Sequence, residues 1–207
     1  MKKIQARMEL SCGHVLKFEP TGDTKFEPNE IGHQKTPEII DAYNDLFLNV
    51  YPSFQPRRML EIGIWHGGSL AMWREIFDAC EIVGVDPNDR IQAAARKHFS
   101  ENSRIHCNFF ACPNPTLSMM GYFDLIIDDG RHGVEFVIPS FEILWPMLNP
   151  GGLYIVEDWK PDHCKPMELL TFLTQKLRGY WPAEDAGPDA PFKMSIYRGL
   201  IAIEKKK

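Results

Sequence analysis

The sequence contains no long apolar run and no excess of positive charge. None of its apolar segments approaches the roughly 20 residues that a helix needs to span a bilayer. The opening Met1-Lys2-Lys3 is not followed by the apolar stretch of a signal peptide. The formal net charge is −5, and the one basic run is Lys205-Lys206-Lys207 at the end of the chain. These absences predict a cytoplasmic protein that has neither a membrane nor a nucleic acid as its partner.

Cysteine is scarce, and the glycine motif of nicotinamide dehydrogenases is missing. The five cysteines are odd in number and their spacing fits no metal-binding motif, so free and mostly buried thiols are expected. No segment has the G-x-G-x-x-G spacing of a dinucleotide-binding loop. A nicotinamide-dependent dehydrogenase is therefore the least favoured class of enzyme.

Residues 58–89 have the pattern of a strand, a glycine loop, a helix and a second strand. The two short apolar runs are Met59–Ile64 and Ile82–Val85, and between them Ser69–Phe77 carries apolar residues at helical spacing. The chain around this unit is predicted to be organised in the same alternating way.

The glycine loop and the acid that follows this unit favour a nucleotide-like cofactor. Gly63, Gly67 and Gly68 allow a tight turn and a close approach of a ligand to the backbone. Asp86 follows at about the 20-residue offset of an acid that binds ribose hydroxyls. Because this glycine spacing alone is weakly specific, an ordinary turn between a strand and a helix remains the alternative.

The rest of the chain alternates strands and helices. This predicts an α/β protein with a doubly wound, Rossmann-like, mostly parallel sheet, which an antiparallel C-terminal hairpin closes at 192–203. Residues 36–207 are expected to form this domain. Residues 1–35 are expected to be an N-terminal extension, irregular from 18 to 34, that is either a lid or a plain surface loop. Residues 149–152 are predicted to be a turn.

Acidic side chains fall where the predicted parallel strands end. Ligands of doubly wound sheets bind outside those ends. Six acids on one rim repel one another, so a cation or a cationic ligand is expected among them. These acids are Glu61, Asp86, Asp128, Asp129, Glu157 and Asp158.

With these residues the chain resembles the class I S-adenosylmethionine-dependent methyltransferases. More closely, it resembles the metal-dependent sugar O-methyltransferases of macrolide biosynthesis and their cephalosporin-hydroxylase-like relatives. The blocks that carry the resemblance are Leu60–Ile64 with Gly67–Leu70, Gly84–Asp86, Asp128–His132 and Pro150–Asp158.

The resemblance implies S-adenosylmethionine and Mg²⁺ as cofactors and a hydroxyl of a small molecule, such as a sugar or a secondary metabolite, as the methyl acceptor. It implies that the cofactor is bound by Glu61, Gly63, Gly67, Ser69, Asp86 and Asp128. It implies that Mg²⁺ is bound by Asp129, Glu157 and Asp158, with His132 as the general base and Asp129 beside it. Arg131 departs from the family pattern, because a small serine usually stands at that position.

Several alternatives remain open at this stage. Asp129 and Asp158 are also positioned to cap the helices that follow them, and His132 is also consistent with a surface loop. A hydroxylase on the same scaffold would use Asp129, His132 and Glu157 for a redox metal, and a non-catalytic cofactor-binding protein is a further alternative. The acceptor and the oligomeric state, including a homo-oligomer, are not defined by the sequence.

Overall fold

The computed structural model describes residues 1–19, 25–101, 104–159, 165–179 and 192–206. Within these ranges the chain forms ten strands, which are β1 (Arg7–Glu9), β2 (Val15–Phe18), β3 (Glu30–His33), β4 (Arg58–Ile62), β5 (Glu81–Asp86), β6 (Ile105–Phe109), β7 (Phe123–Asp128), β8 (Leu148–Glu157), β9 (Phe192–Tyr197) and β10 (Leu200–Lys205). Its helices are α1 (Pro37–Asp45), α2 (Gly68–Ile76), α3 (Ala93–Ser100), α4 (Val134–Leu144) and α5 (Pro166–Gly179). Among the described residues no helix is both long and apolar enough to cross a membrane.

Seven strands form the main sheet in the order β6-β5-β4-β7-β8-β10-β9. The strands from β6 to β8 are parallel, whereas β10 is antiparallel to both β8 and β9. This confirms the predicted Rossmann-like α/β fold with its antiparallel C-terminal hairpin. The order of the strands reverses between β4 and β7, so the predicted ligand edge lies at the ends of these two strands.

Helices cover both faces of the main sheet. One apolar cluster joins α1, α2 and α3 to the sheet and to the N-terminal strands, and a second joins α4 and α5 to the opposite face. Helix α1 begins as its sequence predicts: the Thr36 side chain accepts a hydrogen bond from the Ile39 amide, and Pro37 is the first helical residue. Burial on both faces explains the continuous apolar runs in β4, β5 and β7.

Two segments differ from their predicted structure. The predicted turn at 149–152 lies inside β8, because Phe123 pairs with Leu148 and Leu125 pairs with Leu153, which makes the segment a bulge. The region 18–34, predicted to be irregular, contains β3. This strand pairs in parallel with β2 and buries Ile31 completely, so a distant partner stabilises a strand that its own sequence does not signal.

Strands β1, β2 and β3 form a separate small sheet that packs on the glycine loop. A Cβ atom on Gly68 would lie 1.8 Å from the carbonyl oxygen of Gly32, so the two backbones touch where α2 begins. The Gly32 amide also donates a hydrogen bond of 2.8 Å to Gln92 Oε1. The end of the predicted extension therefore lies beside the predicted cofactor loop. That it moves as a lid stays a prediction.

His33 links the stability of this small sheet to pH. The His33 side chain is 3% exposed, its Nε2 lies 3.0 Å from the Ala6 oxygen, and burial lowers its pKa from 6.5 to about 4. The unfolded chain binds this proton near pH 6.5 and the folded chain only near pH 4. The stability from the neutral ring is therefore complete above pH 6.5 and is lost as the pH falls to about 4. We expect His33→Phe to remove up to about 3 kcal/mol of this pH dependence, measured by denaturant unfolding at pH 7 and pH 4.

The matched control for His33 is His106→Phe, since the His106 side chain is 52% exposed. This variant is expected to keep the wild-type dependence of the unfolding free energy on pH. An unchanged pH dependence in His33→Phe would contradict the assignment.

Gly63 follows β4 directly and lies against the backbone that follows β7, which leaves no room for a side chain. Its φ is +85°, and a Cβ atom would lie 2.1 Å from the Asp129 carbonyl oxygen. Gly13 has a similar φ of +82°, but nothing lies within 4 Å of its would-be Cβ atom. We expect Gly13→Ala to cost about 1 kcal/mol from backbone strain alone and Gly63→Ala to cost about 3 kcal/mol or more from strain and collision. Equal losses in urea unfolding would show that the contact with Asp129 has no energetic weight.

Candidate functional site

A cavity of about 630 Å³ opens at the carboxyl ends of the central strands. It lies where the order of β4 and β7 reverses, the edge at which ligands of such sheets bind. The predicted site residues that line it are Gly63, Ser69, Asp86, Asp129, His132, Glu157 and Asp158. The other predicted residues lie behind this wall: Glu61 and Asp128 are buried at the ends of β4 and β7, and Gly67 precedes α2.

Asp86 fixes the conformation of the glycine loop. Its Oδ2 accepts hydrogen bonds from the amides of Ile64 at 3.1 Å and Trp65 at 3.2 Å, and its Oδ1 accepts one from Asn88. Each carboxylate oxygen has further lone pairs that can accept from a ligand hydroxyl. Asp86 is 7% exposed and lines the cavity, which suits both roles.

The wall around Asp86 is partly aromatic. Trp65 has a positive φ of 42°, lines the cavity and is covered by the Arg90 guanidinium at 4.6 Å from its ring. After β6, residues 111–113 complete this side of the cavity. An indole and the carboxylate of Asp86 thus line the same cavity.

Lys35 lies at the centre of the acidic residues. Its Nζ is 3.0 Å from Glu61 Oε1, 2.7 Å from Asp129 Oδ2 and 2.6 Å from Glu157 Oε1. The side chain of Lys35 is 2% exposed, and those of Glu61 and Glu157 are 0% and 2% exposed. Tyr43 donates a further hydrogen bond of 2.5 Å to Glu157 Oε1. We call Glu61, Asp129 and Glu157 the inner carboxylates.

The charges of this cluster depend on one another. Burial alone would lower the pKa of Lys35, but Asp129, Glu157 and Glu61 outweigh burial and hold that pKa well above its usual value. Burial and the charge of Asp129 raise the pKa of Glu157 to about 8, against the opposing effects of Lys35 and Tyr43. Burial also raises the pKa of Glu61. Lys35 therefore stays charged, while the raised pKa values of Glu61 and Glu157 mean that these two carboxyl groups hold a proton more readily than free acids do.

A second group of potential ligands lies on the more open side of Asp129. One ligand atom each of Asp129, His132 and Asp158 lies within 4.8 Å of the other two. His132 Nε2 is 3.9 Å from Asp158 Oδ2, and both side chains are little more than a quarter exposed. Asp158 has a φ of +51°, an uncommon conformation for a residue other than glycine, and such strain is frequent at functional sites. We call this set the outer group.

The structure divides the predicted magnesium ligands between these two sets. Asp129 belongs to both, Glu157 lies among the inner carboxylates, and Asp158 lies in the outer group with His132. The alternative redox-metal set of Asp129, His132 and Glu157 is divided in the same way. The two carboxylates and one imidazole of the outer group can hold a divalent cation, and hard cations such as Mg²⁺ prefer the oxygens.

The capping alternatives find no support in the geometry. The residue that caps α4 is Gly133, so Asp129 does not cap that helix. Asp158 lies well before Pro166, the first residue of α5. His132 lines the cavity and faces Asp158, and this position distinguishes it from a histidine in an ordinary surface loop.

Lys35 and Tyr43 are the residues that the sequence analysis missed. The repulsion among the acids predicts a cation or a cationic ligand, but it does not predict that a lysine of the chain itself lies among them. Lys35 stands at the end of the presumed extension, directly before the Thr36 cap, where no local pattern marks a buried charge. Only the excess of acidic over basic residues at the predicted site could have indicated that a lysine is buried there.

The chain is similar to known methyltransferases. Residues 60–159 match the model of a family described as a methyltransferase domain. Demethylmacrocin O-methyltransferase of Streptomyces fradiae is 40% identical over 181 residues, which cover 72% of this chain and 44% of that enzyme. Mycinamicin VI 2''-O-methyltransferase of Micromonospora griseorubida is 36% identical over 112 residues, which cover 50% of this chain and 27% of that enzyme. The chain spans less than half the length of these curated relatives.

A solved structure agrees with these relatives. The methyltransferase MycE of the mycinamycin biosynthetic pathway, solved in complex with Mg and SAH, superposes with a TM-score of 0.62 at 26% identity. The superposition covers 83% of this chain and 52% of that one. Residues 60–159, from within β4 to just beyond β8, are therefore similar to a methyltransferase domain.

Proposed function

We propose that this protein is an S-adenosylmethionine-dependent and Mg²⁺-dependent O-methyltransferase, which acts on a hydroxyl of a sugar or another small secondary metabolite. The observation that carries the proposal is the position of the outer group. Two carboxylates and a histidine lie on the wall of the same cavity that holds Gly63 and the ribose-type acid Asp86. A cofactor and an acceptor can therefore meet in one space.

The residues of the cavity fit the cofactor. Gly63 presents bare backbone to the cavity at the end of β4, and a side chain there would collide with the Asp129 backbone. Asp86 offers acceptor oxygens for ribose hydroxyls, and Ser69 in the first turn of α2 lines the same wall. The volume of about 630 Å³ lies within the range of cofactor sites.

The residues of the outer group fit Mg²⁺. Asp129 and Asp158 supply hard oxygen ligands, and Glu157 is the third carboxylate on the inner side. The imidazole of His132 is the weaker ligand for a hard cation, which leaves it available as a base. When bound, S-adenosylmethionine supplies the methyl group and Mg²⁺ supplies positive charge that favours the ionised form of an acceptor hydroxyl.

The protein residues then perform positioning and proton transfer. His132 accepts the proton of the acceptor hydroxyl, and Asp158 at 3.9 Å from its Nε2 stabilises the resulting imidazolium. The cavity walls would hold the acceptor and the cofactor together and so position the hydroxyl for methyl transfer. The acceptor must therefore carry a hydroxyl within reach of His132.

The cofactor prediction is tested by calorimetric titration of S-adenosylhomocysteine, with NADH as the competing ligand. We expect micromolar binding of S-adenosylhomocysteine to the wild type and at least about tenfold weaker binding to Asp86→Ala, because the ribose loses its acceptor and the loop loses its support. Asp89→Ala is the control, since that side chain is surface-exposed and paired with Arg96. Binding of NADH in preference would refute the assignment of the cavity.

The catalytic prediction is tested with labelled S-adenosylmethionine and a panel of glycosides and polyketide alcohols. We expect His132→Gln to lower kcat about 10²- to 10⁴-fold while S-adenosylhomocysteine binds as in the wild type. His106→Gln, a change on the exposed face of β6, is expected to keep full turnover. Dioxygen consumption with Fe²⁺, in place of methyl transfer, would favour the hydroxylase alternative.

A further inference from the structure

The inner carboxylates form a pocket for a cation that is filled by a side chain of the protein itself. One oxygen each of Glu61, Asp129 and Glu157 lies within 4.8 Å of the other two. The Lys35 ammonium contacts all three at 2.6–3.0 Å. A lysine ammonium has three donors, and here each donor has its own carboxylate. The ammonium thus occupies the space that a small divalent cation would occupy between the same oxygens.

Lys35 is not placed to act as a base. Its side chain is 2% exposed, and its ammonium lies at 2.6–3.0 Å from three carboxylates, so it faces the acids and not the open cavity. The ammonium therefore acts as a fixed positive charge. Glu61 also retains a buried oxygen, Oε2, without a hydrogen-bond partner. The pocket thus has acceptor capacity that one ammonium leaves unused.

The backbone around Lys35 fixes the position of this charge. Strand β3 ends two residues earlier and is held against α2 by the close contact of Gly32 with Gly68. On the other side, Thr36 caps α1 through the Ile39 amide. The ammonium is consequently delivered from a segment whose backbone is held on both sides, by β3 and by the start of α1.

We propose that Lys35 is a built-in counter-ion that fills a latent divalent-cation site made by Glu61, Asp129 and Glu157, and so confines exchangeable metal to the outer group. The claim that exchangeable metal binds at the outer group rests on the proposed function. The claim that Lys35 fills a latent cation site does not, because it concerns only Lys35 and the three inner carboxylates.

The test is the number of divalent ions bound and the stability that they restore. Lys35→Met keeps most of the length of the side chain and removes its charge. With Mn²⁺ as the probe, we expect one ion per chain in the wild type and two in Lys35→Met, counted by calorimetry and by elemental analysis after gel filtration. Without metal, the unfolding midpoint of Lys35→Met should fall by about 10 °C or more, since the inner carboxylates, of which Glu61 and Glu157 are buried, lose their cation. Mn²⁺ should restore most of that loss.

The double variant Lys35→Met/Glu61→Gln keeps the test decisive if Lys35→Met folds poorly. It removes one negative charge together with the positive charge, so we expect it to fold without metal and to bind one ion. Two ions in the double variant would overturn the proposal. So would an unchanged ion count in Lys35→Met, or a failure of Mn²⁺ to restore its folding.

These outcomes are separable from the failure of the proposed function. If the wild type binds no ion and Lys35→Met binds one, the latent inner site stands and the Mg²⁺-dependent reaction falls. Titration of S-adenosylhomocysteine into the same samples reports on the cofactor cavity independently of either metal count.

Discussion

Repulsion between carboxylates at one edge of a parallel sheet is the constraint on which this structure depends. Parallel strands bring their carboxyl ends together, and here β4, β7 and β8 each deliver acidic side chains to that edge. Buried in a medium of low polarity, these charges repel strongly unless a cation lies among them. Lys35 supplies that cation at 2.6–3.0 Å from three of them. The protein thereby retains an acidic edge that is suited to metal chemistry without requiring a metal at its centre.

The ion pairs of Lys35 also help to attach the small sheet of β1, β2 and β3. Lys35 lies two residues after the end of β3, and β3 rests on the start of α2 through the contact of Gly32 with Gly68. The small sheet and the main sheet with its helices therefore share an apolar cluster, a backbone contact and a buried ion network. The N-terminal residues belong to the structure of the site as much as the glycine loop does.

The sequence predicts those parts of the fold whose signals are local. The apolar runs of β4, β5 and β7, the Thr36-Pro37 start of α1 and the hairpin of β9 and β10 are all evident from pattern and spacing. The strand β3 and the ion network of Lys35 could not be predicted, because each depends on a partner far away in the chain. The bulge at 149–152 was missed for a related reason, since pairing with β7 overrides local turn chemistry.

Asp129 stands between two cation-binding environments, and this has a thermodynamic consequence. Its carboxylate contacts Lys35 on one side and belongs to the outer group on the other. An ion that binds the outer group therefore draws on the same charge that anchors Lys35 and, through it, β3. Thermodynamic linkage makes this effect reciprocal. If ion binding changes the equilibrium constant for docking of the N-terminal sheet by some factor, docking changes the affinity for the ion by the same factor. The docking of β3 and the occupancy of the proposed metal site are thus coupled through Asp129.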